Sequence, residues 1–548
     1  MKTRILRYLL VLIATVVGLF ALTTPRVKDE DNVFSANRAF NDIENIALEP
    51  HTIEDYTALE DVKDYLYGRM VSLGLNPYVT THSVSDEEYA ITEVNNIIGV
   101  LEGDSDSYIL LIAHYDSSPA KRVGEATGSL GAADDGYGLS SILETISVLQ
   151  SNNVVMKNGI KVLFTDGEEI GLYGAEKEVE INPEFFDDVA FIINVEARGV
   201  KGASIMFQTS LDNYKVIKFY QKADYPVSFS LAGDVYSRMP NSTDFTPMLE
   251  YGLVGINMAV LDNLDYYHTP KDNPDNVSLT SLQHYGEVMY PLVKEFVTNE
   301  EYNDVDYFES NTNATYFTLL PNVFIVYSSI TQLIFVIITA GLFGFSIYLG
   351  LKSNIISWKR LAKCTAVWTM LMILLLLDGI LISNILSWIT GIPFSLTYMP
   401  KIPFALGIFI IVTVLDTVVI GFFIKKIVDN KSNENSLLFG GLMLNAIFMI
   451  IFTAALPGGT YLFMIPLLVG SIVLIVNHYL KQNEIGNARL YRVIESINIF
   501  IPVLLFAPIL YLLYLALTIG ALGLTLLFLI FPLAIILPTI ERLEKSHS

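Results

Sequence analysis

Seven apolar runs, each long enough to cross a bilayer, fill the last two-fifths of this 548-residue chain. They lie at about 325–350, 364–389, 403–424, 437–456, 461–477, 497–515 and 519–540, and a helix needs roughly 20 apolar residues to span the hydrocarbon. An eighth run, Tyr8 to Thr23, follows Lys2, Arg4 and Arg7. It reads as a retained anchor rather than a signal peptide, because Ala21-Leu22-Thr23 is a poor small-x-small cleavage site. A chain with this pattern is expected to build an all-α multi-span region at 321–548 and an N-terminal anchor at 1–24.

Charge divides the chain in the same way. From Val323 onward there are 13 Lys/Arg and 8 Asp/Glu, whereas residues 25–322 hold 18 basic against 49 acidic residues. The segment 25–320 therefore reads as an acidic soluble domain, which explains how a chain of mean hydropathy +0.46 carries net charge −23. Acidity of this size excludes nucleic acid as a partner, since phosphate binding needs Lys and Arg. Within the membrane region, Lys352, Lys359, Arg360 and Lys363 fall in the first loop and Lys425, Lys426 and Lys431 in the third. Lys481, Arg489 and Arg492 lie in the fifth, Arg542 and Lys545 in the tail, and the alternate loops contain only Lys401. The positive-inside rule makes the basic loops and the N-terminus cytosolic, so the acidic domain is expected on the extracytoplasmic side. The single cysteine, Cys364, sits inside an apolar run and can form no disulfide within the chain.

Between about residues 32 and 300 the pattern is α/β. Short β-rich runs at 97–101, 108–114, 160–165, 189–195, 205–208 and 253–258 alternate with helical spacing at 55–73, 138–149 and 279–297. Alternation of this kind predicts a mixed, largely parallel sheet flanked by helices. Ligands of such sheets bind outside the carboxyl ends of the strands. Five segments put acids or histidines at such ends: His114-Tyr-Asp116; Gly131-Ala-Ala-Asp134-Asp135; Asp166-Gly167-Glu168-Glu169; Glu196; and Tyr266-Tyr267-His268-Thr-Pro-Lys-Asp272. Singly each is weak. Together they can converge on one crevice, and imidazole with carboxylate is a ligand chemistry for zinc, less exclusively for manganese or cobalt.

His-x-Asp, Gly-Ala-x-Asp-Asp-x-x-Gly, Asp-Gly-Glu-Glu and Tyr-His-Thr-x-x-Asp, in this order over residues 55–300, resemble the di-zinc aminopeptidase family. The resemblance is strongest to its membrane-embedded branch of vacuolar and endoplasmic-reticulum metallopeptidases. Pro240-Asn-Ser-Thr-Asp244-Phe245 is similar to a motif of that branch. The resemblance implies a zinc-exopeptidase type fold and two Zn2+ per chain, replaceable by Mn2+ or Co2+. His114 and Glu196 would bind one ion, Glu169 and His268 the other, and Asp134 would bridge them. Asp116 would accept the second ring N–H of His114, and Glu168 would be the general base acting on a zinc-bound water. Asp244 and Tyr267 are candidates for supporting or substrate contacts. Glu196 departs from the Asp usual in soluble members, and Phe245 from their usual His.

The expected activity is removal of N-terminal residues from peptides by a protein embedded in a lipid bilayer, at the cell membrane or at a vacuolar or endoplasmic-reticulum membrane. Two alternatives stay open: a glutaminyl cyclase-like enzyme using one zinc on the same fold, and a non-catalytic membrane scaffold retaining it. Asp378 and Asp416 lie inside predicted spans, where ionisable groups are rare. His51, His82, His284 and His478 have no ligand-like context and read as structural.

Overall fold

The computed structural model describes residues 2–119, 128–396, 398–399, 402–431, 434–485 and 488–545; Lys401 lies outside them. The chain packs as two units, Leu22–Ser328 and Met1–Ala21 with Ser329–Ser548.

The first unit follows the helix α1 (Lys2–Leu19) and opens with α2 (Ala36–Ile46) and α3 (Tyr56–Ser72). Asp55 caps α3 by accepting from the Ala58 amide, and Gly74 takes φ +65° just past its end. Both are ordinary helix start and stop chemistry. Then come β1 (Tyr78–Asp86), β2 (Ile91–Leu101), β3 (Tyr108–His114), α4 (Gly136–Ser151), β4 (Gly159–Thr165), α5 (Tyr173–Ile181), β5 (Val189–Ala197) and β6 (Ile205–Thr209). The short helices α6 (Tyr214–Tyr220), α7 (Ser230–Tyr236) and α8 (Phe245–Glu250) precede β7 (Gly255–Val260) and the long α9 (Leu279–Thr298). A hairpin of β8 (Ala314–Leu320) and β9 (Val323–Ser328) closes the unit.

Seven strands form one sheet in the order β1-β2-β4-β3-β5-β7-β6. The inner four are parallel, and β1, β2 and β6 run antiparallel to their neighbours. The mixed sheet flanked by helices is the expected one. Every residue of β3, β4 and β5 is buried, as strands covered on both faces require. Alternation sorts them: Ile109, Leu111, Phe191, Ile193 and Val195 pack with α4 and α9 residues on one face, while Leu110, Ile112, Leu163 and Ile192 pack with Ala175, Phe245 and Met248 on the other. The parallel register puts His114 beside Thr165 and Glu196 beside Ala259. The carboxyl ends of β3, β4, β5 and β7 thus form one rim.

Two expectations need correction. Strand β1 has no counterpart in the sequence reading, because its Thr- and Ser-rich run sits half-exposed at the sheet edge and lacks an apolar signature. Residues 325–328, read as the start of a membrane span, belong to β9, where Val323 to Tyr327 pair with β8. An apolar, β-branched run cannot be told from a helix end by hydropathy alone. The first apolar helix accordingly begins at Ser329.

The second unit comprises α10 (Ser329–Lys352), α11 (Trp358–Thr390), α12 (Ala405–Lys431), α13 (Glu434–Ala455), α14 (Tyr461–Gln482), α15 (Ala488–Leu517) and α16 (Leu522–Lys545), together with α1. Among the described residues, seven helices of this unit are long and apolar enough to cross a membrane, while the apolar part of the N-terminal helix, Leu6–Leu22, is shorter. Gly18 lets α1 approach α15, since a Cβ there would lie 2.7 Å from the Leu504 carbonyl oxygen. Asp378 and Asp416 lie on α11 and α12, both half-buried.

The segment before α2 is bound to the first unit by more than its chain connection. Lys28 pairs with Glu287 at 2.7 Å, Gln283 donates to the Phe34 carbonyl at 2.9 Å, and the Phe34 ring lies where a Gly286 side chain would be. A Cβ on Gly286 would meet that ring at 2.0 Å. Gly286→Ala is therefore expected to destabilise the unit by about 1–3 kcal/mol through overpacking. It should appear as a lower thermal midpoint of the full-length protein, and an unchanged midpoint would contradict this packing.

Candidate metal centre

Five ligand-type side chains arrive at the rim from five places in the sequence, and all five are buried. His114 ends β3, Asp134 precedes α4, Glu169 follows β4, Glu196 lies at the end of β5, and His268 follows β7. They form two sets of three, His114–Asp134–Glu196 and Asp134–Glu169–His268, each with ligand atoms within 4.8 Å of one another. Asp134 belongs to both. Its Oδ1 lies 3.3 Å from His114 Nε2 and its Oδ2 lies 3.2 Å from His268 Nε2. Glu169 Oε1 is 3.0 Å from His268 Nε2, and Glu196 Oε2 is 3.9 Å from His114 Nε2. Ligands bound tetrahedrally at about 2.0–2.1 Å stand roughly 3.3 Å apart, so these separations suit zinc. The donor set, imidazole nitrogen and carboxylate oxygen without thiolate, suits it as well.

Each ligand is held from behind. His114 Nδ1 lies 2.9 Å from the Asp116 backbone carbonyl and 3.5 Å from its Oδ1. The peptide oxygen is thus the nearest partner of that ring nitrogen, and the Asp116 carboxylate expected from the sequence stands beside it. The Asp116 carboxylate also accepts the amides of Glu168 at 3.1 Å and Glu169 at 3.2 Å. Two backbone donors already converge on it, which fixes the turn carrying both glutamates. Gly167 opens that turn at φ +70°, a conformation costly for residues with a Cβ. Glu196 splits its oxygens, Oε2 toward His114 and Oε1 accepting from Asn194 at 3.1 Å. Asp272 accepts from the Ala133 amide at 2.7 Å, the Asp134 amide at 3.2 Å and the Ser129 hydroxyl at 3.1 Å. It thereby sets the loop that presents Asp134. The rings of Tyr267 and His268 stack with centroids 3.5 Å apart. Asp244 is buried and accepts from the Thr165 hydroxyl.

Glu168 is half-buried beside these groups. Burial, and then the charge of Glu196, hold its carboxyl well above the usual range. Burial likewise pushes Glu196 up to about 8, although His114 opposes it, and Asp244 up to about 6. For His268 burial alone would lower the value, but Glu169 and Asp134 lift it to about 9. A cluster this rich in buried carboxylates lacks positive charge, which divalent cations at the two sets would supply.

The structure gives two residues of this site a role that sequence reasoning did not assign. Asp272 and Asn194 are positioning groups; Asn194 stands two residues before Glu196 on the same strand face, a spacing that could have flagged it. His51, read as structural, is buried with its amide 3.1 Å from the Ser117 hydroxyl, and its ring would be 3.1 Å from a Cβ on Gly131. It braces the segments after His114 and before Asp134. His82 pairs with Glu178 at 2.7 Å away from the ligand sets, and His284 bridges the Ser204 amide and the Tyr225 carbonyl. These two are structural, as expected.

Residues 96–293 match the pattern of peptidase family M28. Over 276 residues the chain is 31% identical to a vacuolar membrane protease of Candida dubliniensis, covering 48% of this chain and 28% of that protein. It is 29% identical over 265 residues to a Schizosaccharomyces pombe protein described as an endoplasmic reticulum metallopeptidase 1, covering 46% and 30%. The chain thus spans less than a third of the length of these relatives. Among solved structures, the glutaminyl cyclase of Porphyromonas gingivalis is 19% identical with a TM-score of 0.41, covering 48% of this chain and 100% of that one.

The protonation states above predict how metal uptake depends on pH. Without metal, protonated His268 contributes stability below its ordinary value of 6.5 and loses it as pH rises through about 9. Glu196 carries no penalty below its ordinary 4.5 and costs progressively more as pH approaches 8. The metal-free fold is therefore less stable at high pH, and metal binding must displace both protons. Zinc affinity should tighten between pH 6 and 8 by about tenfold per unit for each proton displaced. Competition with a chelator measures this, and a pH-independent affinity would contradict the assignment.

Proposed function

We propose that this chain, with its M28 segment at 96–293, is a membrane-bound zinc exopeptidase that removes N-terminal residues from peptides outside the cytosol. The observation carrying the reading is Asp134, whose two oxygens face two separate histidine-containing sets. That arrangement supports two zinc ions per chain, with His114 and Glu196 holding one, Glu169 and His268 the other, and Asp134 shared. Bound zinc supplies Lewis acidity, which lowers the pKa of a water and polarises the scissile carbonyl.

The chain's own groups then divide the work. Glu168 is next to a ligand but half-exposed, and the Asp116 carboxylate fixes its backbone. It takes the proton of the attacking water at its carboxylate and delivers it to the departing amine. With ions held by His114, Glu196, Asp134, Glu169 and His268, the charge of Glu196 that raises Glu168 would be offset. The half-exposed carboxylate of Glu168 beside the ligand sets favours a cationic N-terminal ammonium, which suits cutting at the amino end. The stacking of Tyr267 on His268 and its partial exposure support a supporting or substrate contact for it. The basic loops of the membrane unit support an extracytoplasmic site.

Glu168→Gln keeps size and removes the base. The expected outcome is a folded, zinc-loaded protein whose turnover of aminoacyl reporters falls by about 10²–10⁴-fold. Retained turnover would reject Glu168 as base. Cyclisation of N-terminal glutamine without release of an amino acid would reject the peptidase reading itself.

A further inference from the structure

We infer that a groove between α11 and α13 of the membrane unit binds an anionic diacyl phospholipid, with one acyl chain along α11 and the headgroup phosphate at Lys359 and Lys363. The inference is independent of the peptidase reading.

The groove has a cause in the sequence. Its volume is about 740 Å3, and its α11 wall runs from Trp358 to Leu374, with Met443 contributed by α13. Positions 358, 362, 365, 366, 369 and 373 recur at three- and four-residue spacing, so they form one stripe of the helix. In the middle of that stripe the side chains are small: Ala362, Thr365, Ala366 and Thr369. The Thr365 hydroxyl donates back to the Leu361 carbonyl at 3.0 Å, and the Thr369 hydroxyl to the Thr365 carbonyl at 3.1 Å. Both polar atoms are thus satisfied within the helix, and the furrow is left apolar. Beside it the two helices are fixed to each other. Trp368 Nε1 donates to the Leu437 carbonyl at 2.9 Å, and a Cβ on Gly440 would lie 2.7 Å from the Cys364 backbone. Small residues flanking a fixed helix pair leave a furrow that neither helix can close.

The shape suits a chain. From Trp358 to Leu374 a helix rises about 24 Å at 1.5 Å per residue, against about 15 Å for half of a 30 Å hydrocarbon core. An acyl chain of one leaflet fits along it.

The charge of the occupant follows from the end of the groove. Trp358, Lys359 and Lys363 are all exposed. Lys359 stands three residues before Ala362 and Lys363 three before Ala366, so helical spacing sets both lysines beside the stripe and one turn from each other. Among the described residues neither has an acidic partner. Two unpaired cations one turn apart repel, and a phosphate between them relieves that repulsion. Basic pockets between membrane helices bind anionic headgroups in this way. A zwitterionic headgroup brings its own cation and gains less. A second copy of the chain, or another apolar helix, would fill the furrow but leave the lysines without a counter-charge.

The test uses the full-length protein in phosphatidylcholine vesicles and the fluorescence of Trp358, taken as the difference between wild type and Trp358→Phe. The probe is phosphatidylglycerol brominated on its acyl chains, compared with phosphatidylcholine brominated in the same way, since bromine quenches indole on contact. Quenching is expected to show phosphatidylglycerol preferred by about 25-fold, about fivefold for each lysine. Lys359→Gln should lower the preference by about fivefold, and the double change with Lys363→Gln should abolish it. Arg360→Gln removes an exposed cation whose position lies away from the stripe, and it should leave the preference nearly unchanged. Equal quenching by the two lipids in the wild type would overturn the proposal. So would a preference that survives loss of both lysines, or one that falls as far in Arg360→Gln. Absence of quenching by either lipid would show the furrow covered by protein, a second copy or another helix, and would overturn it as well.

Discussion

Asp134 offers one oxygen to His114 and the other to His268, and the rest of the site is arranged around that division. A buried carboxylate is costly unless cations or donors meet it. Here each oxygen faces an imidazole, and each imidazole faces a second carboxylate, Glu196 or Glu169. The cluster holds more negative charge than its histidines can neutralise, and it is buried. Such a set is stable as a metal cage and strained without one.

What makes the cage rigid is backbone chemistry contributed across strands. Asp272 grips the amides of Ala133 and Asp134, Asp116 grips those of Glu168 and Glu169, and Asn194 holds the second oxygen of Glu196. Asp272 and Asp116 thus fix the loops through backbone amides, while Asn194 touches a ligand-type side chain directly. Adjacent Glu168 and Glu169 can play different parts because one turn, pinned by Asp116, sends Glu169 inward and leaves Glu168 partly exposed. The sheet supplies the frame: parallel register places the ends of β3, β4, β5 and β7 at one rim.

The central fold was legible because its signals are local. Continuous apolar runs announced β3, β4 and β5, and acids or histidines at their ends announced the rim. Four of the ligand-type residues were readable at or after strand ends and Asp134 from the loop that opens α4, and the structure brings them together. Asp272 was visible in a motif but not in its role, which depends on amides 138 and 139 residues away in the chain. His51, read as structural, braces Ser117 and Gly131, partners distant in the chain that no local pattern could name. Strand β1 escaped because an edge strand needs no apolar face, and 325–328 because hydropathy does not distinguish a strand from a helix end. The Asp116 backbone carbonyl, invisible to motif reading, joins its carboxylate beside the His114 Nδ1.

The most direct test of the shared-carboxylate account is the zinc content of the purified full-length protein by mass spectrometry, in the wild type and in Asp134→Ala. The account predicts two zinc ions per chain in the wild type and weakened retention of both in the variant. One zinc per chain in the wild type, or loss of a single ion on removing Asp134, would contradict it.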